Sequence, residues 1–195
     1  KCLMIGADCL SRWVDWNDYK TSILFGDGCG AMILEGKETN TGILSYYYKT
    51  DCSKNDILSI PVKETSSYVN KIEVKNNYYC KMNMIGREVA DFVINNIPSF
   101  IKDCLKQNNI NLSEIKYIIP HQANQVLLNK IADELKIPKN KIKSNVEKYG
   151  NTSAASIPIL LSEMLTDNLL SKNDKIIFLG FGAGMSSSII IFEYE

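Results

Sequence analysis

Tyr117-Ile118-Ile119-Pro120-His121-Gln122-Ala123-Asn124 is the stretch on which the reading of this chain turns. An apolar run meets a proline, a histidine follows, and an asparagine opens a pattern with Leu127, Leu128, Ile131 and Leu135 on one helical face. The pattern predicts a buried strand over Ile115–Ile119 and a helix to about Lys136, capped by Asn124 and closed by Pro138. The carboxyl end of a buried strand is where open α/β sheets assemble their sites. His121 is the only histidine among 195 residues, and it stands at that edge. Histidine is also the side chain best suited to polarising or shuttling a proton near neutral pH.

Upstream, Val89, Phe92, Val93, Ile97, Phe100, Ile101, Cys104 and Leu105 recur every three or four residues, predicting a helix over Asn83–Lys106. Pro98 falls outside that stripe, so a kink is expected there rather than a break. Downstream, the 149–156 turn enters a third helix running to about Leu170, with Pro158 in its early turns. Lys175–Phe181 and Ser186–Tyr194 read as strands about a tight glycine turn.

Nearer the start, Cys2–Ala7 reads as a buried strand and Ser11–Lys20 as a loop. Thr21–Phe25 and Ala31–Leu34 read as two strands joined across the glycines of 26–30. Polar Lys37–Asn40 marks an internal boundary, dividing the chain into 1–40 and 41–195. Gly42–Lys49 restarts as a strand, and Thr50–Asn77 reads as excursions around short strands. Strands alternating with helices, followed by a strand–turn–strand, indicate a mixed, layered α/β fold.

Composition narrows the function classes. Acidic and basic residues balance at 22 each, which leaves no electrostatic footprint for nucleic acid. Twenty of the 22 basic residues are lysine, a skew best read as an AT-rich coding sequence. Apolar residues make up 45%, yet no run is long enough to span a membrane. Six cysteines are scattered without C-x-x-C spacing or a histidine partner, so neither a metal site nor a disulfide framework is expected. The first residues read as the start of a strand without an initiating methionine, which suggests a piece of a longer protein.

Three places carry chemistry. His121 follows a strand and precedes a helix. Asn151 sits between a glycine and a run of small residues, where a close-packed turn can aim its amide. Gly182–Gly184 lets backbone N–H groups approach a substrate oxygen, as an oxyanion hole requires. Each has a plainer reading as a satisfied polar group, turn chemistry or a bend.

In order, however, Pro120-His121-Gln122-Ala123-Asn124, Gly150-Asn151-Thr152-Ser153-Ala154-Ala155-Ser156 and Gly180-Phe181-Gly182-Ala183-Gly184 resemble the β-ketoacyl-acyl-carrier-protein synthase III family. Phe25-Gly26-Asp27-Gly28 and Met84-Ile85-Gly86-Arg87-Glu88-Val89 look like landmarks of the same family, and the likeness runs nearly end to end. The single histidine sets the chain apart from elongating synthases, which use two. Ala183 sets it apart from chalcone-synthase-like enzymes, which carry proline there.

The resemblance implies a thiolase-like α-β-α-β-α enzyme, with 1–40 ending the first half and 41–195 forming the second. It implies initiating condensation of type II fatty acid synthesis, in which acetyl-CoA or another acyl-CoA is condensed with malonyl-acyl-carrier protein. Both are substrates, and no cofactor is implied. His121 and Asn151 would stabilise the enolate, the backbone N–H of Ala183 would hold the acyl oxyanion, and Gly182 and Gly184 would shape that turn. Asn124 and Gln122 would bind substrate or orient the loop.

The partners implied are the acyl carrier protein and a second copy of the enzyme. The compartment implied is a plastid, apicoplast-like, or a bacterial-type cytoplasm, because Trp13-Val14-Asp15-Trp16-Asn17-Asp18 looks plastid-like. The family's nucleophilic cysteine sits in an Ala-Cys-Ser/Ala-Gly-like turn that none of the six cysteines matches. The 195 residues alone are therefore expected to be inactive.

Around the entrance the chain departs from the pattern. Tyr19 stands for an arginine that grips the nucleotide of CoA, and Val126 for an arginine tied to CoA or carrier docking. Ala90 stands for a tunnel-lining phenylalanine, and Ser187 falls where tryptophan-glycine is usual. Two other classes are open at this level: a non-catalytic remnant with a binding or scaffolding role, and a cysteine hydrolase built on Cys29, His121 and Asn151.

Overall fold

The computed structural model describes residues 1–69 and 72–195, and the side chains of residues 1–64 and 80–195. Strand β1 (Cys2–Asp8) is followed by the short helix α1 (Tyr19–Ser22), β2 (Gly28–Leu34) and β3 (Gly42–Thr50). Next come β4 (Leu58–Ser59), β5 (Val62–Val69), β6 (Ile72–Tyr79), β7 (Asn83–Met84) and the long helix α2 (Gly86–Gln107). The chain ends with β8 (Ile115–Pro120), α3 (Gln125–Leu135), α4 (Val146–Tyr149), α5 (Ser156–Thr166), β9 (Lys175–Gly182) and β10 (Ser186–Glu193).

The central sheet has the order β3-β10-β9-β8. Only β8 and β9 run parallel, with Ile118 opposite Ile177 and Pro120 opposite Leu179. Strand alternation divides the apolar residues between two faces. Ile118, Ile177, Leu179, Ile189 and Ile191 join Ile97 and Ile101 of α2 and Leu128 and Ile131 of α3 in one core. Ile119 and Ile176 join Leu160 and Met164 of α5 in the other.

Beyond α5 lies the β1–β2 ribbon. A side chain at Gly6 would run into the Ala154 carbonyl, and one at Gly30 would come within 2.6 Å of Pro158 Cβ. The described residues therefore stack as α2/α3, sheet, α5, ribbon. This order reproduces four of the five layers expected of a thiolase-like fold.

Several expectations need correction. Thr21–Phe25 is not a strand. Asp18 caps Lys20 N, α1 begins, and Phe25 makes only a single bridge, to Asn151. The partner of β2 is instead β1, from Cys2↔Leu34 to Asp8↔Gly28. Nor is β1 buried throughout: Leu3 and Ile5 are each 61% exposed, because only one face of the ribbon meets α5.

The long helix starts at Gly86, after Asn83–Met84 pairs with β4. Pro98 lies inside it and is buried, so it belongs to the apolar stripe. Helix α3 is closed by Lys136 in a left-handed conformation (φ 58), before Pro138 is reached. Helix α5 ends at Thr166 rather than Leu170, since Asn168 turns left-handed (φ 53) and Leu170 folds back into the second core. In the 50–77 region, β5 and β6 pair over eight residues each, more regular than excursions around short strands.

Candidate active site

The strand end carrying the histidine is held by its neighbour: His121 N donates to Leu179 O across the parallel pair at 2.7 Å. The ring meets Phe181 edge-on, with centroids 5.4 Å apart. Its Nδ1 lies 2.9 Å from Ser156 Oγ, at the start of α5. Burial lowers the ring's pKa to about 4, against a smaller opposing effect of the Ser153 backbone. At neutral pH the imidazole is uncharged.

Gln122 lines neither cavity of the site. It is fully buried, donating to Pro120 O and Lys143 O and accepting from Ser144 Oγ and Asn145 N. These four bonds use all of its amide capacity and tie the histidine loop to the segment leading to Asn151. Asn124 accepts from Leu127 N at 2.8 Å, capping α3.

Asn151 reaches the site on a tightly constrained turn. Its N–H donates to Leu24 O at 2.8 Å, and its carbonyl accepts from Gly26 N at 2.9 Å. Gly26 has no room for a side chain, since an added Cβ would overlap Tyr149 O. Gly150 needs its freedom as well, at φ 69 with Leu24 O only 3.0 Å from a built Cβ. The Phe25-Gly26 landmark is thus the seat of the Asn151 turn. Asn151 Oδ1 accepts from Ser153 N at 2.9 Å. That bond fixes which way the amide faces and leaves the Nδ2 donors for the cavity.

Two adjoining cavities share His121, Asn151, Phe25, Leu58, Phe181 and Gly182 on their walls. One, of about 470 Å³, runs toward Asp8, Ser153, Ser156 and Ala183. The other, of about 660 Å³, is lined in addition by Ile85, Val89, Ala90, Lys20, Arg87 and Asn124. Gly184 lines neither and takes the left-handed turn (φ 71) that returns the chain into β10. Among the departures, Ala90 lines the second cavity, Tyr19 and Val126 are exposed, and Ser187 is buried; Lys20, next to Tyr19, also lines the second cavity.

No cysteine lines either cavity among the described residues. Cys29 cannot serve, which corrects the hydrolase alternative. Gly28 and Gly30 face Thr152 and Pro158, so strand alternation turns exposed Cys29 to the opposite face. Cys104 is buried in the first core, its pKa pushed up to about 12 by desolvation. No group of acidic, cysteine and histidine side chains suited to a metal ion occurs among the described residues.

Sequence reading took Phe25 and Gly26 as turn and landmark residues and Ser156 as part of a motif, and gave none of the three a role at the site. Ser156 touches His121 only through the tertiary fold; its one sequence signal is a serine at the start of an apolar helix.

The layered stack and the strand-end histidine facing a turn-borne asparagine define the thiolase-like class of α/β proteins. Comparison with known proteins narrows this. The profile described as 3-oxoacyl-[acyl-carrier-protein (ACP)] synthase III matches residues 1–52, and the profile for its C-terminal part matches residues 105–194. The beta-ketoacyl-[acyl-carrier-protein] synthase III of Trichodesmium erythraeum is 40% identical over 194 residues, covering 99% of this chain and 59% of that protein. That of Microcystis aeruginosa is 41% identical over 193 residues, covering 98% and 58%.

The crystal structure of the Aquifex aeolicus 3-oxoacyl-[acyl-carrier-protein] synthase III superposes with a TM-score of 0.86 at 33% identity, covering 98% of this chain and 57% of that one. The Thermus thermophilus structure gives 0.86 at 27%, covering 99% and 59%. The chain belongs to the β-ketoacyl-acyl-carrier-protein synthase III family. It spans just under three-fifths of the length of these curated relatives.

Proposed function

We propose that these residues form the enolate-stabilising part of an initiating condensing enzyme, an acyltransferase that joins an acyl group from acyl-CoA to malonyl-acyl-carrier protein. The observation that carries this reading is the convergence of His121 and Asn151 on two shared cavities, with Asn151 Oδ1 and His121 Nδ1 already engaged. Loss of carbon dioxide from the malonyl thioester puts negative charge on the thioester oxygen. Asn151 Nδ2–H and the outward nitrogen of His121 are the groups available to meet it, the histidine once that nitrogen carries a proton. Preorganised dipoles in a dry site need no reorganisation as charge develops.

The enolate carbon then attacks an acyl group held as a thioester on a cysteine outside these 195 residues. The backbone N–H of Ala183, on the wall of the smaller cavity, would hold the oxyanion. The thiolate leaves, and 3-oxoacyl-carrier protein is released. The larger cavity, lined by apolar Ile85, Val89 and Ala90 and by the cations Lys20 and Arg87, suits an arm carrying a phosphate. Acetyl-CoA as primer, acyl carrier protein as partner, homodimerisation, a division near residue 40 and a plastid or bacterial-type compartment belong to the same proposal. The compartment draws support from cyanobacterial relatives. No helix among the described residues is long and apolar enough to cross a membrane.

The test is a chimera in which these residues replace the matching stretch of the Trichodesmium erythraeum relative, assayed for acetoacetyl-carrier protein. Condensation is expected, falling roughly 10²- to 10³-fold with Asn151→Ala or His121→Ala. The 195 residues alone should give none. A folded but inactive chimera would establish the non-catalytic remnant instead.

A further inference from the structure

We infer that Ser156 is a positioning residue whose hydroxyl holds the His121 proton on Nδ1, leaving Nε2 with its lone pair toward the cavity. A count of protons fixes the direction of each bond. A serine hydroxyl has one hydrogen to donate and two lone pairs to accept with. Ser156 Oγ lies 2.7 Å from Ser153 O, and a backbone carbonyl can only accept, so the hydroxyl proton is committed there. Gln122 N–H donates to the same Oγ at 3.3 Å. The remaining contact, with His121 Nδ1 at 2.9 Å, must be donated by the ring.

Ser156 is 2% exposed, so water does not compete freely for its oxygen. All four groups belong to rigid surroundings: Ser156 opens α5, Ser153 lies in the turn before it, and Gln122 is locked by its own amide bonds. A ring nitrogen's protonation is set by the bond its fellow nitrogen makes. Here the bond at Nδ1 comes from a side chain, which mutation can remove, beside a smaller pull from the Ser153 backbone that mutation leaves in place.

The consequence deepens the reading of His121 as the enolate's partner and rests on that reading; the tautomer itself does not. In this arrangement Asn151 offers a donor and His121 an acceptor. For His121 to donate, the Ser156 hydroxyl must turn from Ser153 O to Nδ1. One proton then leaves Nδ1 for solvent water and one is taken from water at Nε2, with no change in net charge. Ser156 therefore decides whether the pair presents one donor or two.

Because His121 is the only histidine, ¹⁵N-histidine labelling of the 195-residue chain reports a single imidazole. Two-dimensional ¹H–¹⁵N spectra at pH 7 distinguish the tautomers by which ring nitrogen is protonated. The wild-type chain should show the Nδ1–H form, and Ser156→Thr, which keeps the hydroxyl, should match it. In Ser156→Ala the Nε2–H form should rise from below roughly a tenth to about a third or more.

A wild-type Nε2–H ring overturns the inference, whether or not the variants fold. An unchanged tautomer in a Ser156→Ala chain with a native-like amide spectrum overturns it too. Neither outcome depends on condensation, so failure here is separate from failure of the chimera assay.

Discussion

His121 carries two properties that follow from its place rather than its type. Its proton location comes from Ser156, and its pKa of about 4 comes mainly from burial. The second has a measurable sign. The unfolded ring titrates near pH 6.5. Between about pH 6.5 and 4 the unfolded chain binds a proton that the folded chain refuses, so stability falls as pH falls through that window. Above it the two states are alike, and below it the difference is constant. The loss is on the order of 2 kcal/mol, discounting for the ring's partial exposure. Urea midpoints across pH 4–7 should show this slope in the wild type and lose it in His121→Gln, while the carboxylate contribution stays common to both. The labelled imidazole should show no titration down to about pH 5, and an inflection near 6.5 would refute the burial argument.

At the scale of elements, the site exists because a turn from one part of the chain seats a turn from another. Gly26 N donates to Asn151 O, Asn151 N donates to Leu24 O, and no side chain fits at Gly26. Gly26→Ala must push the 149–151 turn away, and overpacking of this kind costs about 1–3 kcal/mol. The expected result is a lower urea midpoint together with amide shifts at Asn151 and Ser153. Shifts confined to residues 24–28 would contradict the seating. Glu163 braces the same turn from α5, accepting from Asn145 Nδ2 at 2.7 Å, Lys148 Nζ at 2.9 Å and Tyr149 OH at 2.7 Å. These bonds, led by that from Tyr149, hold its carboxyl down at about 2. Glu163→Gln should loosen α4 and broaden the Asn151 amide resonance while the α2–α3 core keeps its hydrogen-exchange protection.

Over the whole molecule, stability is concentrated around the central sheet. Ile131 is fully buried between α3 and the sheet, whereas Ile5 on the ribbon is 61% exposed. Ile131→Ala should lower unfolding free energy by about 2–5 kcal/mol. Ile5→Ala should change it by less than about 0.5 kcal/mol. Equal costs in urea titration would mean that the ribbon's outer face is packed in solution.

Much of this was legible from residue order alone. The period of three and four over 89–105, the strand ending at Pro120 and the asparagine cap at 124 each rest on local chemistry, and each stands within a few residues of its expected place. The motifs around His121, Asn151 and Gly182 identified the family by their order and spacing. Long-range contacts lay beyond that reading. Thr21–Phe25 has a strand's composition but no strand to pair with, and β1 looked buried because its apolar run does not reveal which face meets α5. Pairing Ser156 with His121 required two residues 35 positions apart to be brought together by folding, and only then could a hydroxyl's single proton decide which nitrogen faces the cavity. Residue types settle which groups are present. The tertiary structure alone decides which hydrogen bonds they have left to give.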